Sequence, residues 1–173
     1  CAALLFTATA FAEVQDMQDG NSLFDKLETL GIMWDTADSE YDFDKSVTRG
    51  EFATFINRFA QNTYGDLSKT ADVTDKESFL YKSVQAAVEQ KLMRIYDDGN
   101  FAPDMPIKAD EAGYGMLKIL GYSALAELSG GYPKGYREKA EELGLFKGVS
   151  CSGDSFIKGS ELLKIIDNFI DTD

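Results

Sequence analysis

The sequence predicts an all-α fold made of three helix-loop-helix repeats. Two observations carry this. First, three stretches resemble one another: "FDKLETLGIMWDTADSEYDFDKSVTRGEFATFINRFA", "YKSVQAAVEQKLMRIYDDGNFAPDMPIKADEAGYGMLKILGY" and "YREKAEELGLFKGVSCSGDSFIKGSELLKIIDNFI". Anchored on Glu51, Glu111 and Glu161, they recur at spacings of 60 and then 50 residues. A supersecondary unit of this size that recurs buries its apolar face by stacking on its copies. Second, each stretch holds apolar residues at helical spacing.

In the first repeat one stripe is Leu23, Leu27 and Leu30, and the other is Phe52, Phe55, Ile56 and Phe59. The second repeat has Tyr81, Val84, Val88 and Leu92, then Ala112, Met116, Leu117 and Leu120. In the third, Leu162, Ile166, Phe169 and Ile170 form the second-helix stripe. Spacings of three, four and seven mark amphipathic helices that pack on one another. Gly31, Lys91 and Gly144 align as the ends of the first helices.

The loops between helices carry turn chemistry. Asp97-Asp98-Gly99-Asn100 is a tight turn with Gly99 free to take positive φ. Phe101 follows as an apolar plug, matched by Phe43 and Phe156 in the other repeats. Pro103 and Pro106 keep their neighbours extended. The alternating oxygen ligands and closing Glu of a calcium loop are missing from "DDGN", so no metal is expected there.

Bulk properties narrow the function. The net charge of −13 and pI near 4.4 argue against nucleic acid and against a polybasic membrane contact. The chain has no His, which removes the commonest general base and zinc ligand. Its two cysteines, Cys1 and Cys151, form no CxxC pair, and Cys151 is given no role. No pair of carboxylates stands out as an acid and a base, so no enzyme and no cofactor is expected. "CAALLFTATAFAEV" reads as the tail of a secretory signal peptide, with Ala10-Phe11-Ala12 as its cleavage site. The expected organisation is 1–12 signal remnant, then repeats over 13–65, 66–122 and 123–173.

These stretches resemble the S-layer homology family. "LMRIYDDGNFAPDMPIKADE" is similar to the family's Gly-Tyr-x-Asp-Gly-x-Phe-x-Pro…Ile-Thr-Arg-x-Glu signature. "VTRGEF" carries Thr-Arg-x-Glu intact at Thr48, Arg49 and Glu51, and "GGYPKGYREKAEELGLFKGV" is similar to many third repeats. The resemblance implies a pseudo-threefold, three-lobed module with a central helix bundle and grooves between lobes. It implies a secreted, non-catalytic module at the bacterial cell surface that binds acidic, often pyruvylated, secondary cell wall polysaccharide. The motif Arg would engage the ligand.

Residue chemistry sharpens that expectation. Thr48 and Glu51 fit a capping box, which makes them structural before they are ligand contacts. A cation in a first helical turn is opposed by the helix dipole, so Arg49 is there for another reason. Its planar fork suits a carboxylate; the alternative is a solvated surface arginine. At the aligned positions the second repeat has Lys108 and Ala109, and the third has Lys158 and Gly159. Both lysines are therefore candidate ligand contacts. So is Gly148, the family glycine after the first helix, where the other repeats have Asp35 and Ile95. Trp34 could stack on a sugar or seal a lobe. Loss of two motif arginines leaves a second reading open, a degenerate scaffold for protein–protein assembly at the cell surface.

Overall fold

A computed structural model of the chain describes residues 22–30, 41–60 and 70–172. The described residues hold helices and no strand. In order these are α1 (22–29), α2 (Arg49–Ile56), α3 (Phe79–Glu89), α4 (Ala109–Ile119), α5 (Ser123–Leu128), α6 (Lys134–Glu142) and α7 (Gly159–Ile170). None is long and apolar enough to cross a membrane. The signal-peptide reading of 1–12, Trp34 and Asp35 fall outside the described residues.

The three second helices begin alike. Residues 45–48, 105–108 and 155–158 run extended into α2, α4 and α7 and meet one another. Isolated antiparallel bridges join Ser46 to Lys158, Thr48 to Pro106 and Lys108 to Phe156. At the centre the Val47 amide donates to the Ile157 carbonyl at 2.9 Å, Ile157 to Ile107 at 3.2 Å and Ile107 back to Val47 at 2.9 Å. A second cycle surrounds it, with Arg49 N–H on Met105 O, Ala109 on Ser155 and Gly159 on Lys45. Equivalent positions therefore bond in a closed ring, and every donor at the hub has a partner. Val47, Ile107 and Ile157 are buried there.

The helices pair across the three stretches. The second helix of one repeat packs on the first helix of the next: α2 on α3, and α4 on α6. The chain closes the same way, with Lys26 of α1 donating to Asp167 of α7 at 2.7 Å. Crossing over follows from the ring, because each extended entry segment already lies against its neighbour.

Most of the apolar stripes are core. Leu27, Phe52, Ile56, Val84, Ala112, Met116, Leu117 and Ile166 are wholly buried. Leu23, Phe59, Val88 and Leu120 are half-buried against them, and Leu30 and Ile170 are exposed. In α1 Phe24 takes the core position instead of Leu23, a shift of one residue that three-to-four spacing does not resolve. The plug register also needs correcting. The ring aligns Phe101 with Tyr41 and Cys151 rather than with Phe43 and Phe156. Phe101 and Cys151 are buried, Tyr41 is half-buried, and Phe156 is exposed. Helix α5 was not anticipated, as it is a short extra turn after α4.

Two of the aligned first-helix ends match in backbone conformation, and the third, Gly31, lies outside the described residues. Lys91 has φ 59° and Gly144 has φ 74°, both left-handed. Gly99 sits at φ 84°, as its turn requires.

Candidate functional site

The motif Thr and Glu cap α2. Thr48 Oγ1 accepts from the Glu51 amide at 3.1 Å, and Glu51 Oε2 accepts from the Thr48 amide at 2.7 Å. Lys108 and Lys158 have no acceptor to offer, so only the glutamate half of the box survives there. Glu111 accepts from the Lys108 amide at 3.2 Å and Glu161 from the Lys158 amide at 3.1 Å.

Arg49 is not a solvated surface residue: it has no exposed surface at all. It leaves its own repeat and enters the loop of the second. Nε donates to the Phe101 carbonyl at 2.7 Å, and Nη2 to the Arg94 carbonyl at 2.6 Å. Nη1 forms an ion pair with Glu111. The guanidinium lies between the rings of Tyr96 and Phe101, 4.6 and 4.7 Å from their centroids. All three nitrogens are engaged and the charge is compensated, which is what a buried arginine requires.

The loop that receives Arg49 is itself anchored. Asp72 accepts from the Phe101 amide at 2.8 Å and the Ala102 amide at 2.6 Å. This holds Ala102 at φ 55°, a conformation a non-glycine rarely adopts.

Beside this clamp an exposed face begins. Arg94 is exposed, and its guanidinium sits 4.7 Å from the Tyr132 ring centroid. Tyr96 is 39% exposed. Tyr132 packs edge-on to Tyr114 at 5.5 Å. Burial, then the carboxylates of Glu111 and Asp110, push the Tyr132 hydroxyl up to about 12. Lys108 reaches Asp154 at 3.1 Å. Its ammonium pKa is raised chiefly by that hydrogen bond, with smaller contributions from Glu111 and Tyr96. Cations and rings side by side suit a sugar bearing a carboxylate.

The other candidate residues are placed as follows. Lys158 is exposed at the start of α7. Gly159 has no room for a side chain, because a Cβ there would collide with the Asp42 carbonyl oxygen. Gly148 is exposed at φ 79°. Cys151 is buried, and burial pushes its thiol up to about 12, which disfavours the thiolate. Its amide and that of Ser150 donate to Glu161 Oε1, at 3.0 and 3.2 Å. Arg94, Tyr96, Tyr132 and Arg137 were not singled out from sequence. Tyr96 lay within the signature "LMRIYDDGNF", so a signal existed for it.

Comparison with known proteins bears on the same region. Residues 69–112 match the sequence model of the S-layer homology domain. That match covers α3, the Arg49-receiving loop and the first turn of α4. The chain is 28% identical over 171 residues to a cell surface protein of Thermoanaerobacter kivui, covering 94% of this chain and 21% of that protein. It is 27% identical over 159 residues to the middle cell wall protein of Brevibacillus brevis, covering 86% and 14%. It is also 27% identical over 136 residues to a surface layer protein of Brevibacillus choshinensis, covering 72% and 11%. The chain thus spans about a fifth or less of the length of these relatives.

Proposed function

We propose that this chain is a secreted, non-catalytic anchoring module made of three S-layer homology repeats, 13–65, 66–122 and 123–173, which holds its protein to the bacterial cell wall. The observation that carries this reading is the closed hydrogen-bond ring joining equivalent positions of three segments, the second of which matches the family. The likeness of nearly the whole chain to surface and cell wall proteins supports the location. The ligand in this reading is an acidic secondary wall polysaccharide, pyruvylated as the family resemblance implies. It approaches along Arg94, Tyr96, Lys108 and Tyr132. Arg49 and Glu111 shape that face from beneath, while Thr48 and Glu51 hold α2 so that Arg49 can reach.

A pull-down tests it. The chain is expected to sediment with wall sacculi that retain their polysaccharide, and to stay in solution once that polysaccharide is removed. Arg94→Ala with Tyr96→Ala should abolish most sedimentation. The complete burial of Arg49 favours a second reading, a scaffold whose arginine is purely structural. That reading wins if the chain ignores intact sacculi yet pairs with another surface protein.

A further inference from the structure

Where the first repeat sends Arg49 into the second, the second has only Ala109 to send into the third. A guanidinium nevertheless stands at that joint, and it comes from the opposite side. Arg137 of α6 donates from Nε to Asp110 Oδ1 at 2.8 Å, and from Nη2 to Asp110 Oδ2. Asp110 is the residue after Ala109, and its amide bonds to the Gly153 carbonyl at 3.0 Å. A Cβ on Gly153 would lie 3.0 Å from Arg137 Nη2, so the arginine rests against that turn. Lys108 reaches the next residue of the turn, Asp154, at 3.1 Å.

The two guanidinium sites differ in access. Arg49 has a side chain with no exposure, and each of its nitrogens is engaged. The Arg137 side chain is 40% exposed. Asp110 takes one edge of its fork, and the Nη1 edge has no partner among the described residues. Lys108 is held only by a carboxylate that is itself 85% exposed, so a ligand carboxylate can displace it at little cost. The result is two cations converging on one turn, one with a free planar edge and one with a replaceable counter-ion.

We infer that Arg137 and Lys108 form the anion contact of the module, Arg137 standing in for the arginine that position 109 lacks, and that they take a carboxylate of an acidic wall glycan. This rests on the anchoring reading and names the part of the ligand that this face reads. Asp110 orients Arg137, and Asp154 guards Lys108 until the ligand arrives.

The test is calorimetric titration of the full chain with a hexosamine carrying a pyruvate ketal, its neutral parent sugar as control, alongside sedimentation with sacculi. Arg137→Gln should weaken the acidic sugar about tenfold, the size of a lost charge-assisted contact, and Arg137→Lys by less. Asp154→Asn should tighten it about threefold, because Lys108 is released; a merely structural salt bridge would not give a gain. If Arg137→Gln fails to fold, Arg137→Lys and Asp154→Asn decide the matter by themselves. Equal binding by wild type and the Arg137 variants, or a loss on Asp154→Asn, overturns the inference and leaves anchoring intact. Wild type that binds neither sacculi nor sugar overturns both.

Discussion

Two joints of the ring solve one problem in opposite ways. Between the first and second repeats the arginine is buried, and its glutamate partner is only 15% exposed. Between the second and third the aspartate is buried, at 5% exposure, and its arginine faces water. A buried cation needs every nitrogen satisfied, so the first joint is a lock. A buried carboxylate with a solvated arginine leaves one edge of the fork open, so the second joint can both hold and bind. On the proposed reading, similar charges joined across similar helices divide structure from recognition.

The largest test of this contrast is Arg49→Ala. It strands Glu111 and leaves the Phe101 and Arg94 carbonyls without donors, so a loss of about 3–5 kcal/mol is expected in chemical denaturation. Asp110→Asn at the open joint should cost about 1–2 kcal/mol, since half-solvated Arg137 recovers water. If the two losses are equal, the contrast fails. Gly159→Ala probes the third joint, where backbone meets backbone. The clash with Asp42 should cost about 1–3 kcal/mol.

A pH titration refines the third joint further. The Lys26 hydrogen bond holds Asp167 below its ordinary 3.8. Burial pushes Glu161 up, but the Ser150 hydroxyl and the amides of Lys158, Cys151 and Ser150 outweigh it and leave the group below 4.5. Both folded values are depressed, so their stabilisation is complete above the ordinary values. It is lost as pH falls through the lower, folded ones. The thermal midpoint should therefore drop steeply below about pH 4, and Glu161→Gln should flatten part of that drop. The smallest effect belongs to Leu128, 85% exposed on α5. Leu128→Ser should change stability by under about 0.5 kcal/mol.

Local features were legible in the sequence. The Thr48–Glu51 capping box, the Gly99 turn and the α4 stripe each depend on residues a few positions apart. The destination of Arg49 was not legible, because its partner Glu111 is 62 residues away. Separation along the chain also hid the pairing of helices across repeats and the contact of Arg137 with Asp110, 27 residues away. The plug register failed for a different reason: Phe is the obvious apolar residue near positions 43 and 156, and nothing local says that Cys151 is the one turned inward. The dipole argument did mark Arg49 as misplaced for its own helix, and that reasoning found the residue even though its burial was unforeseen.

The ring at Val47, Ile107 and Ile157 has one more consequence. Short extended segments normally present a row of open amides and carbonyls that another chain can copy. Here the inner cycle runs from each segment to one neighbour, the outer cycle runs to the other, and both circuits are complete. A closed circuit has no first or last member, so the hub offers no edge at which two copies of the protein could zip together. That keeps packing between neighbouring copies separate from misfolding into one another.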